Sequence, residues 1–151
     1  MGLLNLASAA SVWRGYEYYK YKRIFAVVKL SESEYAGKSE GSDGQFYDVR
    51  IDIAHPRKSN CNCPHANGKR VVCKHQIALY FTLFPDEAQN YYDMTVRYRE
   101  EEEKRQEEIE NKVIKYINSL SKEELRNTLY DVLYDGPEWL FERFVHENID
   151  Y

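Results

Sequence analysis

Apolar and polar residues alternate without a break near the middle of the chain. Tyr47, Val49, Ile51 and Ile53 are interleaved with Asp48, Arg50 and Asp52. A period of two places the apolar set on one face of a β-strand and leaves the other face, with both carboxylates, to water. Upstream, Tyr16 to Leu30 is aromatic and β-branched, ends Ile24-Phe25-Ala26-Val27-Val28-Lys29-Leu30, and reads as strand. A further short strand is expected around Tyr35, within Ser31–Ser39. Gly41-Ser42-Asp43-Gly44 is turn chemistry, because glycine and aspartate tolerate positive φ. Residues 3–13 read as a short helix or an apolar arm, and Pro56 ends the alternating strand.

Farther along, the pattern changes to a helical one. Ile77 to Phe84 is an apolar run that reads as a helix, closed at Leu83-Phe84-Pro85-Asp86 because proline cannot continue it. Asp86 or Asn90 is placed to cap the next helix. Glu100 to Glu110 is strongly charged and helix-forming, a solvated helix or a helical linker. Apolar positions resume at Ile109, Val113, Ile114, Ile117 and Leu120. Ser121-Lys122-Glu123-Glu124 is a capping box, in which the serine hydroxyl and the glutamate each satisfy a backbone N–H. Leu125, Leu129, Val132 and Leu133 follow at helical spacing. Gly136 sits where a helix ends and Pro137 where the next begins. Trp139, Leu140, Phe144 and Val145 give that last helix an apolar face, and the stripe Trp139, Phe141, Phe144 reads as core.

The chain's cysteines number three, and all lie in one short stretch: Cys61-Asn62-Cys63 and, ten residues on, Cys73-Lys74-His75. Thiolate and imidazole are the ligands that Zn²⁺ takes in tetrahedral sites, and a shell of four protein ligands leaves no position for water or substrate. The site is therefore read as structural zinc, and the chain as having no catalytic activity. Cys-x-Cys puts two sulfurs on one side of an extended segment. Residues Pro64 to Val72 contain Pro, Asn and Gly and read as a loop that folds back. Cys73 should lie just before the first turn of the Ile77–Phe84 helix, with His75 inside that turn. His65, two residues after Cys63, competes with His75 for the fourth position. His55 and His146 read as surface or capping histidines.

Cys-x-Cys, a spacer and Cys-x-His resemble the SWIM-type zinc finger, in which a hairpin precedes the first pair and a helix starts at the last. The flanks agree: Phe46 to Ile53 is similar to the strand before the first cysteine, and Cys73-Lys74-His75-Gln76-Ile77-Ala78-Leu79 to the start of the family's helix. Arg14-Gly15-Tyr16 through Tyr18-Tyr19 resembles the opening of bacterial SWIM proteins. The resemblance implies Cys61, Cys63, Cys73 and His75 as ligands, and a DNA-binding or protein-binding role.

The fold class that follows is α+β: a small antiparallel sheet, a zinc knuckle leading into a helix, and a C-terminal extension of about three helices. The expected division is 1–85 and 86–151. So short an extension holds little core of its own, so its helices are expected to pack on the zinc domain, on one another, or on a partner.

Charge separates along the same line. Residues 1–85 carry twelve Lys/Arg against seven Asp/Glu, and residues 86–151 nine against eighteen. No acid occurs between residues 53 and 85, where Arg57, Lys58, Lys69, Arg70 and Lys74 surround the knuckle. Such cations neutralise phosphates and release counterions, which points to DNA or RNA. The interleaved tyrosines upstream suit stacking on unpaired bases. Against this, the whole chain has a pI near 5.6, and the acidic helices suit an adaptor that binds protein. No apolar run reaches membrane-spanning length and no secretory leader is evident, so a cytoplasmic protein with reduced thiols is expected.

Overall fold

The computed structural model describes residues 2–42 and 44–149. The elements run α1 (Leu3–Leu6), α2 (Ala9–Lys20), β1 (Ile24–Lys29), β2 (Glu34–Glu40), β3 (Phe46–Asp52), a 3-10 turn at Pro56–Lys58, β4 (Asn60–Cys61), α3 (Lys74–Leu83), α4 (Pro85–Ser119), α5 (Lys122–Tyr134) and α6 (Glu138–Asn148). This is an α+β fold. The chain divides into two compact units, Met1–Arg97 and Tyr98–Tyr151. The first therefore takes in the opening turns of α4, beyond the expected division at residue 85.

In the first unit the four strands form an antiparallel meander in the order β1-β2-β3-β4. The expected alternation sets the register: Tyr47, Val49 and Ile51 face inward, while Asp48 and Arg50 face water. The wet-face charges are matched, Lys38 with its cross-strand neighbour Asp48 at 2.7 Å and Arg50 with Glu34 at 2.8 Å. Asp52 departs from the pattern. It is buried, and its carboxylate closes the turn after β3 by accepting from the N–H groups of Ala54 (3.0 Å) and His55 (2.9 Å). The His55 ring approaches its other oxygen at 3.2 Å. Burial pushes the Asp52 carboxyl upward, but hydrogen bonds from the His55 N–H, the Ser33 hydroxyl, the His55 ring and the Ala54 N–H outweigh it and hold the group below the usual carboxylate range.

Helix α3 lies against the inner face of the sheet. Ile77, Ala78, Leu79 and Phe81 are all completely buried, as expected of a helix that is apolar on every side. Its second cover is α2, and here the strand reading of Tyr16–Leu30 is corrected. Residues up to Lys20 are helical, and strand begins only at Ile24. Ser8 caps α2 by accepting from the Ser11 N–H at 3.1 Å, and Val12, Gly15, Tyr16 and Tyr19 recur at helical spacing toward the core. The tyrosines look β-forming in isolation, but tertiary packing decides. Gly15 is a contact point: a Cβ there would meet Ile77 at 2.5 Å and the Lys74 carbonyl at 2.9 Å.

Two other expectations are adjusted. Pro85 follows α3 but is itself the first residue of α4, where its missing N–H costs nothing, and Asp86 and Glu87 occupy the first turn. Neither Asp86 nor Asn90 is a cap. The acidic run from Glu100 is thus part of one 35-residue helix. Ala88 and Tyr91 of its opening turns pack on the first unit's core, where Tyr91 stacks on Phe81 and Tyr92 on Tyr16.

The second unit is helical. The capping box at Ser121 and Glu124 is present, with Glu124 accepting from the Ser121 N–H at 2.8 Å and Ser121 from the Glu124 N–H at 3.3 Å. Pro137 is the N-cap of α6 and not its first helical residue. The aromatic stripe does not form a core: Trp139 is 59% exposed, Phe141 is exposed, and only Phe144 turns toward Leu129, Leu133 and Leu140. The turn expected at residues 41–44 joins β2 to β3 with Gly44 at φ 75°; its Asp43 lies outside the described residues. Among the described residues, no helix is long and apolar enough to cross a membrane.

Candidate metal centre

Three local devices bring the knuckle together. Cys61 ends β4 and pairs with Val49 of β3, so the sheet fixes its position. Cys63 opens a turn in which its carbonyl accepts from the N–H groups of Ala66 (3.0 Å) and Asn67 (2.8 Å). Between them Asn62 points outward and ties the segment to Asp48, accepting from its N–H at 2.8 Å. Cys73 is the N-cap of α3, and Gln76 accepts from its N–H at 2.7 Å. His75 follows inside the first turn, as the spacing predicts. Just before Cys73, Val72 forms a parallel bridge with Ala7, so the arm after α1 braces the second ligand pair.

The four donors converge. Sγ of Cys61, Cys63 and Cys73 and a ring nitrogen of His75 all lie within 4.8 Å of one another. Nδ1 of His75 is 3.7 Å from the Cys61 sulfur and 3.9 Å from that of Cys73. Metal–sulfur and metal–nitrogen bonds of zinc length at tetrahedral angles separate neighbouring donors by roughly 3.5–3.8 Å, so the cluster is compatible with a single four-coordinate ion. All four residues are at least 97% buried. His65 is exposed and stands outside the cluster, so the choice between the two histidines falls to His75.

The electrostatics favour a cation. The hydrogen bond from Cys61, with help from His75 and the Gln76 N–H at the helix start, lowers Cys73 to about 4. The same Cys61–Cys73 hydrogen bond, together with burial, pushes Cys61 far upward. Burial and the neighbouring Cys73 charge raise Cys63. One thiolate forms readily here, whereas three in this space need the charge of a metal ion.

The His75 ring is held by aromatic packing. Tyr47 stacks on it with centroids 5.0 Å apart, and Tyr18 tilts against it at 5.4 Å. Its Nε2 is buried without a hydrogen-bond partner among the described residues, so ring contacts take over the orienting role that an acceptor usually plays. Sequence reasoning placed neither tyrosine at the site; the fold brings them there from α2 and β3.

The five cations flanking the knuckle separate into two groups. Arg57 and Arg70, from the 3-10 turn and the knuckle loop, line one cleft of about 250 Å³ with Leu6 and Val72. Lys58 and Lys69 are exposed beside them in sequence. Lys74 belongs elsewhere: its ammonium stands 4.5 Å over the Tyr18 ring and borders a different cavity. Among the described residues none of the five is in an ion pair.

No family model matches this chain, and no curated protein or solved structure is significantly similar to it.

Proposed function

We propose that this chain is a SWIM-type module in which structural zinc braces a nucleic-acid-binding surface. Zinc is the ion of choice because three thiolates and an imidazole in a closed, buried shell suit its softness and its tetrahedral preference. The ion would supply folding free energy and no reaction, since four protein ligands leave it no open position. Such thiols require a reducing compartment, which agrees with a cytoplasmic location.

The observation that carries the nucleic-acid reading is the exposed basic cleft beside the knuckle. Arg57 and Arg70 share a cleft, Lys58 and Lys69 flank them, and no carboxylate occurs from residue 53 to 85. Side chains of this kind bind phosphates, and Arg does so bidentately. The test is fluorescence anisotropy of zinc-loaded protein with single- and double-stranded DNA and RNA at two salt concentrations. Binding that weakens with salt and is lost in a Lys69→Glu/Arg70→Glu variant is expected. No binding at low salt would refute it.

A second reading, a protein-interaction adaptor, draws on the other unit. Ile109, Val113, Ile117, Leu129 and Trp139 are exposed apolar side chains on its helices, the material of helix-in-groove contacts. Partner capture that depends on those residues and not on Lys69 and Arg70 would favour it.

A further inference from the structure

The knuckle has a second rim, which the sequence did not reveal. Beside Cys63, Cys73 and His75 opens a cavity of about 410 Å³. Three of its walls carry cationic or titratable side chains from distant parts of the chain: Arg14 of α2, His65 of the knuckle loop, and Lys74 at the start of α3. Ser8, Ser11 and Ser42 supply hydroxyls, and no carboxylate lines the cavity among the described residues. Ser8 and Ser11 are pre-set, with their hydroxyl oxygens 3.0 Å apart. Lys74 is held at the wall by its seat on Tyr18, and neither it nor Arg14 is in an ion pair among the described residues. Gly15 brings α2 close to the Lys74 carbonyl, so the backbone segments that carry Arg14 and Lys74 are held together.

The charges can be weighed. A divalent ion held by three thiolates would leave the cluster at about −1. Arg14 and Lys74 together exceed that. Among the described residues the cavity is thus a concave site with two cations and, in Ser11, a hydroxyl that accepts from Ser8 and keeps its own proton for a ligand. A phosphate monoester carries about −1.5 to −2 charges at neutral pH and three acceptor oxygens, and it matches such a site better than a carboxylate or a single-charged internal phosphodiester. The concavity also favours an end group over a backbone that must continue past it.

We infer that this cavity is a phosphate-monoester pocket that receives the terminal phosphate of a nucleic-acid strand. The choice of strand rests on the nucleic-acid reading above; the phosphate chemistry of the pocket does not.

The test uses the zinc-loaded full chain with inorganic phosphate and with matched single strands bearing a 5′-phosphate, a 3′-phosphate or hydroxyl ends only. One phosphorylated end should bind about tenfold more tightly than the hydroxyl-ended strand, the gain from one charge-assisted hydrogen bond. Arg14→Gln should abolish that preference and leave hydroxyl-ended binding unchanged, whereas Lys69→Gln/Arg70→Gln should weaken all strands alike. Inorganic phosphate should shift the Ser8 and Ser11 amide resonances, and Arg14→Gln should remove the shift. Equal affinity for all strand ends, with no response to phosphate, would overturn the pocket and leave the nucleic-acid function standing. A phosphate response without strand binding would remove that function and assign the pocket to free phosphate esters. If Arg14→Gln lowers zinc affinity while the phosphate response persists, the cation serves the metal and the proposal fails.

Discussion

Residues 1–97 and 98–151 are built on different principles. In the first unit Phe81, Ile51, Ile77 and Leu79 are out of water, and the helix that carries three of them is covered by a sheet on one side and by α2 on the other. In the second, Leu133 is the one buried side chain among the described residues. Beside the packing of α6 on α5 at Leu133 and Phe144, its order draws on local sources: the Ser121–Glu124 capping box, the Arg143–Glu147 pair at 2.9 Å and the Arg105–Glu102 pair at 2.8 Å. Each pair of this kind contributes only a few tenths of a kcal/mol. Charge follows the same divide, thirteen Lys/Arg against ten Asp/Glu in residues 1–97 and eight against fifteen in 98–151. A core built around a Cys/His cluster and a run of sparsely buried helices thus sit in one chain.

Removing the metal should separate them most sharply. Apparent zinc affinities of structural sites correspond to about 10–16 kcal/mol, so Cys73→Ser or chelation should abolish cooperative unfolding of residues 1–97. Residue-resolved hydrogen exchange checks this: amides of β3 and α3 should lose protection while those of α5 change little. Equal loss in both would break the contrast.

Next come matched truncations. Phe81→Ala should cost about 3–5 kcal/mol in urea denaturation, whereas Phe144→Ala, on a half-exposed side chain, should cost about 1 kcal/mol or less. Similar costs would mean that α6 has a core of its own.

Gly15→Ala is expected to destabilise the first unit by about 1–3 kcal/mol, against the helix propensity that favours alanine. The reason is the approach of α2 to Ile77 and Lys74. Thermal denaturation reads the cost, and a weakened cobalt–thiolate absorption would trace it to the knuckle. A gain in stability would show that the two helices are not in close contact.

The smallest effect should be at Asp52. Its carboxyl is held below its ordinary value of 3.8, so it stabilises the fold fully above that value, and the contribution is lost as pH falls through the depressed native value. Asp52→Asn should lower the thermal midpoint at neutral pH and flatten its fall below pH ~4. An unchanged acid limb would exclude the hydrogen bonds at this turn as its source.

What could be read in advance follows the same logic of local against distant. The four clustered residues Cys61, Cys63, Cys73 and His75 fall within fifteen residues, and the β3 alternation and the Ser121 box are local too. All three were legible for that reason. The helical state of Tyr16 to Lys20 was not, because the surfaces that stabilise it belong to α3 and α4. Asp52 was read from its place in a pattern, while its burial depends on the turn that follows. Arg14 stood out in the sequence only as part of the Arg14-Gly15-Tyr16 stretch; the packing of α2 on α3 places it in one cavity with Lys74.

The Gly15–Ile77 contact also bears on the order of events as the chain folds. It closes a loop of about sixty residues, whereas the Cys61–His75 cluster closes one of about fifteen, and the entropy of closure grows with loop length. Metal capture by the knuckle is therefore expected early, with α2 docking afterwards onto a helix that the captured ion has already started. In a stopped-flow experiment with Co²⁺, thiolate absorption should rise before the tyrosine signal from Tyr16 and Tyr18 reaches its native value.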